Sequence, residues 1–373
     1  MPRTPDAPVD RLLFPRDLGA WARWEASHHR LRRAKATVVE TLRAAAGRRR
    51  PSTEVISTYG SAPRILVVVD APTASQRSAL LAPVEHLLAQ GHDVAVLSPR
   101  EVVDLLPGEA ARWQTVPLTA RAVAERLEGV DTVLAVGHYL SLGAGAYRWA
   151  VRHGARFCVV QHGLLTPFMA PLPPGAHLLA WSEEDAAFWA SGRHDVSHEV
   201  VGGQLLWRAA QEPAPAVPSD ARPTFVGQLH GVELGRAYMT RVSHDFCVGT
   251  GALYRPHPSE RDKLSRLTHA AWEREGIEID HGGTPLFQTG QPVVSVFSTG
   301  VLEAAARGIP AWVCTAEDLD IRRQKTHILK SPSWLFAFHD RYSMGKWGHD
   351  ATSQTCVPTT EPAAALTRCL TSS

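Results

Sequence analysis

The chain has 373 residues, with 39 Lys+Arg against 37 Asp+Glu and a formal net charge of +2. That length suggests two domains, and the balanced charge argues against a dedicated nucleic-acid binder, which carries a basic excess. A hydrophobic fraction of 44% with 20% charged residues is globular composition and excludes a disordered chain or a fibre. The longest apolar runs, such as Ile65–Val69 and Val293–Val296, are strand-sized. They fall far short of the ~18–20 residues of a membrane span. Five scattered cysteines (Cys158, Cys247, Cys314, Cys356 and Cys369) include no Cys-x-x-Cys pair. They fit neither a disulfide scaffold nor a zinc site. The opening MPRTPDAPVD lacks the apolar core of a signal peptide. The expectation is a soluble, reduced, cytoplasmic protein.

From Arg30 to Arg50 lie Arg30, Arg32, Arg33, Lys35, Arg43, Arg48, Arg49 and Arg50, opposed only by Glu40. Leu31, Val38, Val39 and Leu42 interleave them at near-helical spacing. One reading is a basic amphipathic helix in peripheral contact with anionic lipid at the inner membrane face, or with a polyanionic acceptor. The plainer reading is a solvated helix face and a charged tail, the commoner use of such a run. Residues 1–63 are accordingly expected to be a basic helical extension.

Beyond Pro63 the pattern changes. Arg64–Asp70 (RILVVVD) reads as a buried strand of a parallel sheet. Ser75–Gln90 reads as a helix stopped by Gly91, and His92–Leu97 as a second strand. Strand Thr132–Val136, helix Ala144–Val151 and strand Phe157–Val160 follow, then strand His177–Trp181 and helix Glu183–Ala190. This alternation implies a parallel sheet with helices on both faces, over residues 64–210. Residues 211–223 (QEPAPAVPSDARP) hold four prolines and no apolar period, and read as a linker. The pattern restarts over 224–373 with strands Thr224–Val226, Ala252–Arg255, Ile277–Asp280, Val293–Val296 and Ala311–Cys314. Helices Arg236–Ser243, Ser259–Glu275 and Thr299–Arg307 lie between them. The expected fold class is α/β, with two Rossmann-like domains facing an interdomain cleft. Such sheets bind ligands outside the carboxyl ends of their strands. The aromatic segment with Trp334, Phe336, Phe338, Tyr342 and Trp347 reads as core helix packing back across the domains.

Four stretches could carry chemistry. In PVVSVFSTGVLEAAARGIP (292–310) a buried strand runs into Ser298-Thr299-Gly300 and then a helix. A hydroxyl cap, free N–H groups and a glycine at a helix start can hold a phosphate. Glu303, one turn inside, is placed to reach that ligand's ribose; the plainer alternative is a capped helix with a favourable acid. Tyr254-Arg255-Pro256-His257-Pro258 follows a strand, and its two prolines fix the backbone around His257. His257 could donate to a phosphate while Arg255 adds charge; the alternative is a rigid turn. Gln161-His162-Gly163 ends a strand, where His162 could act as a general base or be merely structural. The glycine-bearing loop after Phe225-Val226, beginning at Gly227, could bring backbone amides near a diphosphate. No dinucleotide fingerprint, Walker A, His-Glu-x-x-His or Gly-x-Ser-x-Gly sequence occurs.

In this order the motifs resemble nucleotide-sugar transferases of the two-domain GT-B architecture. The likeness is to the CDP-glycerol glycerophosphotransferases and polysialyltransferase-like enzymes of bacterial capsule and teichoic-acid synthesis. It spans roughly residues 64–330. His257-Pro258 is similar to their HP motif, and Ser298-Thr299 to their serine/threonine motif. Glu303-Ala304 through Gly308-Ile309-Pro310 matches the EAxxxGxP helix common to GT-B transferases. Gln161-His162-Gly163-Leu164-Leu165-Thr166-Pro167 is similar to the HG(T)P-like segment that supplies the proposed base, but longer. It replaces the acidic motif of the sialyl families.

The resemblance implies an inverting transfer of a sugar or polyol phosphate from a nucleotide-activated donor to the hydroxyl of a glycan or glycolipid acceptor. His162 would be the base. His257, Arg255, Ser298, Thr299, Gly300, Glu303 and Gly227 would bind nucleotide and phosphate. No metal, no cofactor and no nucleic-acid partner are expected. Two alternatives stand: a GT-B-like sugar-nucleotide epimerase, and a noncatalytic scaffold binding a polyanion or membrane through Arg30–Arg50.

Overall fold

The computed structural model describes residues 7–28, 53–213, 215–218, 220–229, 231, 233–282, 289–323, 330–351 and 357–372. The basic run Arg30–Arg50 lies outside the described residues, apart from which the chain forms two compact units. The first comprises Phe14–Gly163, Met169–Gln204 and Thr360–Ser373; the second comprises Met1–Leu13, Leu164–Phe168 and Leu205–Thr359.

The first unit is built on an eight-stranded sheet. Its strands are β1 (Glu54–Tyr59), β2 (Ile65–Val68), β3 (Val94–Pro99), β4 (Trp113–Pro117), β5 (Thr132–Ala135), β6 (Arg156–Val160), β7 (His177–Ala180) and β8 (Ser197–Val200). The order is β4-β1-β3-β2-β5-β6-β7-β8. From β3 to β8 every pairing is parallel, while β1 runs antiparallel to both β3 and β4. The central strands are continuous apolar runs because helices cover both faces. Val67, Val94, Val96, Leu134 and Leu179 are wholly buried in this core.

Two expectations need correction here. The extension 1–63 does not stand as one helical element, because Glu54–Tyr59 (EVISTY) is a sheet strand covered by neighbours on both sides. Its Val, Ile, Thr and Tyr are residues that suit a pleated surface. The chain's last helix, Pro362–Thr371, belongs to the first unit and not to the domain 224–373. Leu366, Cys369 and Leu370 enter the first unit's core, and the Ala363 N–H donates to Gln204 Oε1 at 2.8 Å. The helical period shows that the helix has an apolar face, but not which sheet that face covers.

The second unit holds β9 (Thr224–Val226), β10 (Leu253–Arg255), β11 (Val293–Ser295) and β12 (Ala311–Val313) in the order β10-β9-β11-β12, all parallel. The expected strand Ile277–Asp280 is reduced to a single bridge, Tyr254 to Ile279. Helix Ser333–Arg341 buries Trp334 and Phe338 against Phe297, so these aromatics are core of this unit. The proline-rich run travels with the same unit: the nearly buried Arg307 side chain pairs with Glu212 and donates to the Pro213 carbonyl. Both units are thus Rossmann-like α/β folds. No helix among the described residues is long and apolar enough to cross a membrane.

The placement of the last helix gives a prediction. Leu366→Ala and Leu370→Ala should each lower stability by about 2–5 kcal/mol, as loss of a buried leucine does. Denaturant titration followed by a probe in the first unit reads the change.

Candidate functional site

Parallel strands end on one edge, so the second unit's sheet delivers its functional loops together. Gly227 follows β9, Pro256-His257 follows β10, and Val296–Ser298 follows β11. With β9 between the other two, the His257 and Ser298 loops leave the sheet about 10 Å apart.

The first two loops are joined by a residue that sequence reasoning missed. The Glu260 side chain is fully buried, and its Oε1 accepts from the Leu229 N–H at 2.9 Å and the His257 N–H at 3.3 Å. Its Oε2 accepts from the Tyr254 hydroxyl at 3.0 Å and lies 3.0 Å from His269 Nε2. Burial raises the pKa of such a carboxyl, but here the His269 and backbone hydrogen bonds outweigh burial and hold it below its ordinary value. The charge therefore persists and fixes both loops. Proximity to His257, three residues upstream, was the available signal.

The same packing accounts for Gly227. A Cβ there would stand 2.1 Å from the Tyr254 hydroxyl oxygen, so the glycine is required by the tyrosine beneath it. Arg255 is an ion-pair partner of Asp280 at 3.3 Å. His257 Nδ1 accepts the Ser259 N–H at 3.1 Å, which places the ring proton on Nε2. Burial lowers its pKa, with the Glu260 charge opposing, so it is a neutral donor. Arg255 and His257 line a pocket of about 670 Å3 with Arg261, Arg266 and His281. None of Gly227, Ser298, Thr299, Gly300 or Glu303 lines it.

The third loop forms a second cluster. Ser298 caps helix Thr299–Ala306, its Oγ accepting the Gly300 N–H at 3.2 Å. The buried His339 lies within 2.7 Å of the Val296 carbonyl through Nε2, so it donates there and pins the loop from below. The carboxyl of Glu303, one turn into the helix, has no hydrogen-bond or ion-pair partner among the described residues, and burial alone pushes its pKa up to about 7. A carboxylate so placed lacks the donors that would stabilise its charge. Gly308, with φ 76°, ends the helix as expected.

In the first unit, His162 lies on the loop after β6. Gln161, 1% exposed, brackets it. The Gln161 Nε2 group donates to Asp185 Oδ2 at 2.7 Å and to the Gly163 carbonyl at 3.1 Å, while Oε1 accepts the Trp181 N–H at 2.9 Å. The backbone is thereby clamped on both sides of the histidine. His162 is half-buried, its Nδ1 is shielded and unpartnered among the described residues, and burial pulls its pKa to about 4. The ring is neutral across ordinary pH. On the same sheet edge Asp70 accepts the Leu142 N–H at 2.8 Å and the Gly143 N–H at 3.2 Å, capping helix Ser141–His153. Among the described residues no group of three or more His, Cys, Asp or Glu could hold a metal ion.

No family model matches the chain, and no curated protein matches its sequence. Solved structures are similar to it. The UDP-GlcNAc 2-epimerase of Methanocaldococcus jannaschii is 12% identical over 82% of this chain and 99% of its own, with a TM-score of 0.44. A glycosyltransferase of Rickettsia africae is 13% identical over 68% and 80%, with a TM-score of 0.43. The Anabaena protein HepE, solved with UDP and glucose, is 14% identical over 83% and 95%, with a TM-score of 0.43. These superpositions are loose; strand order and register define the fold of each unit.

Two predictions follow from the clusters. Glu260→Ala should destabilise the second unit by about 3–5 kcal/mol, because it strands the Tyr254 hydroxyl, His269 and two N–H groups without their acceptor. A denaturation curve against the wild type measures this. Glu303 has a folded-state pKa above its ordinary 4.5. The folded state therefore holds the proton more tightly, and this group's contribution to stability falls as pH rises from 4.5 towards 7. Glu303→Gln should remove that decline, read as Tm against pH.

Proposed function

We propose that the protein is a nucleotide-sugar transferase of GT-B type, moving a sugar or polyol phosphate from a nucleotide-activated donor to an acceptor hydroxyl. Synthesis of capsule polysaccharide, teichoic acid or a related surface glycan is the setting this reading favours. The observation that carries it is Glu303. Its carboxyl has no partner among the described residues, and it is one turn inside a hydroxyl-capped helix on the carboxyl edge of a parallel sheet. A ribose diol offers such a carboxylate two O–H donors at once.

In this reading the helix start at Ser298, Thr299 and Gly300 receives the donor phosphates, and its dipole stabilises charge on the leaving nucleotide. His257, a fixed neutral donor, adds a hydrogen bond from Nε2, and the Arg255–Asp280 pair holds that loop's far side. Gly227 keeps the β9 loop low beside it. His162 takes the acceptor hydroxyl's proton as the new bond to the acceptor oxygen forms and the bond to the nucleotide phosphate breaks. Its low pKa keeps the base form populated through neutral pH at the cost of driving force for proton transfer. No step requires a metal. A glycan or glycolipid is the acceptor class the motif likeness implies.

The test separates donor binding from chemistry. Purified protein is titrated with CMP, CDP, UDP, GDP and TDP, then incubated with the matching sugar or glycerol donor and acceptor glycan. His162→Ala should keep nucleotide affinity and lose roughly 10²–10⁴-fold in transfer rate. His257→Ala should weaken nucleotide binding itself. Absence of binding by any nucleotide to a folded sample would sink the proposal. Conversion of donor alone into an epimer would replace it with the epimerase reading.

A further inference from the structure

The carboxyl edge of the first unit's sheet holds a histidine that the proposed chemistry does not use. His138 follows β5, as His162 follows β6. These strands are parallel neighbours, with Ala135 opposite Val159. Three residues on from that pair, the chain reaches His138 in one loop and His162 in the other. The two loops leave the sheet about 4.8 Å apart. β5 is also one wall of this sheet's switch point. From β2 the chain steps to β3 on one side, and later returns to β5 on the other. Open α/β sheets take ligands in the crevice outside the carboxyl ends of such a pair.

The two rings share a state. Nδ1 of each is shielded and has no hydrogen-bond partner among the described residues. Burial pulls the pKa of each to about 4, and the Arg193 charge adds to the effect at His138. Each ring is thus neutral, with one N–H donor and one lone-pair acceptor. No bond to Nδ1 fixes which nitrogen holds the proton, so either ring can donate to a ligand or accept from it. Packing orients His138, which is 9% exposed. It stands edge-on to Tyr147 with ring centroids 5.3 Å apart, and the Tyr147 hydroxyl donates to the Pro174 carbonyl at 3.0 Å.

Charge narrows the ligand class. Residues 70–73, 136–140 and 161–163, in the loops after β2, β5 and β6, include one charged side chain, Asp70, and no Lys or Arg. Arg193, whose charge reaches His138, is spent on Asp195 and the Leu172 carbonyl. An anionic ligand finds no free counter-charge in these loops, whereas neutral hydroxyls need only the donors and acceptors that the rings supply.

We propose that His138 and His162 together form the acceptor subsite of the transferase reading, on which this inference rests, and that the subsite takes a neutral vicinal diol of a sugar or polyol, one hydroxyl on each ring. The hydroxyl on His162 is the one that gives up its proton. Its neighbour is held by His138 and gives up none. A lone alcohol would engage one ring, and a phosphate-bearing acceptor end would meet Asp70.

The full chain carrying isotope-labelled histidine tests this without a donor. The ring signals are assigned with His138→Phe and His162→Phe. Titration with methyl glucoside or glycerol should shift both rings together and saturably. Ethanol, a lone hydroxyl, and inorganic phosphate should leave His138 unmoved. His138→Phe keeps the packing on Tyr147 and removes the ring nitrogens. It should weaken diol binding by about three- to tenfold, the worth of one neutral hydrogen bond, and leave nucleotide affinity unchanged. The wild-type titration reads both rings however that variant folds. Silence of both rings towards the diols, a response of His162 alone, or a stronger response to phosphate overturns the inference. Diol binding by a protein that binds no nucleotide would keep the diol site and remove the transfer reading. Nucleotide binding with both rings silent would do the reverse.

Discussion

The Glu260 carboxylate is the constraint on which the second unit's functional edge depends. One buried charge gathers the Leu229 and His257 amides, the Tyr254 hydroxyl and the His269 ring. Two loops from neighbouring strands are fixed by it in a single geometry. Its charge survives burial because every lone-pair direction is answered. Glu303, one turn into the helix after the next loop of the same edge, is the opposite case: a half-buried acid with no side-chain partner among the described residues, and a pKa of about 7. A satisfied acid builds the scaffold, and the unsatisfied one is the group that the proposed function assigns to the ligand.

The first unit repeats this division on its own edge. Asp70 is spent on capping a helix 72 residues away, and Gln161 on clamping the β6 loop. His162, between the clamped residues, keeps a neutral ring with Nδ1 unanswered among the described residues. Groups with partners hold the backbone, while His162 shares an unanswered ring nitrogen with His138, which follows β5 on the same edge.

Much of this was legible in the sequence, for identifiable reasons. Buried parallel strands are continuous apolar runs, so RILVVVD and PVVSV announce themselves, and Gly308 with Pro310 marks a helix end. Glu183–Ala190 and Thr224–Val226 have the bounds the pattern predicts. The β1 strand was not seen, because EVISTY mixes polar and apolar residues, and its antiparallel place between β3 and β4 is a tertiary fact. The C-terminal tail was grouped with the domain 224–373, because nothing in its local sequence names the unit that it covers. At the site, the residues visible as motifs were those flanked by prolines and glycines. Glu260, His339 and Gln161 act through buried hydrogen bonds to distant backbone, which leave no local spacing to read. Gly227 was visible, but its reason was not: the tyrosine that requires a glycine there lies on another strand.

The proposed function turns on whether Glu303 receives a nucleotide's ribose. Its most direct test is calorimetric titration of the preferred nucleotide at pH 7 in two buffers that differ in ionisation enthalpy. A carboxyl with a pKa of about 7 is half protonated there. Two hydroxyl donors would stabilise its charged form, so binding should expel about half a proton. The binding enthalpy should depend on the buffer, and that dependence should vanish in Glu303→Gln. Saturable binding with the same enthalpy in both buffers, or a proton release unchanged in that variant, would contradict it.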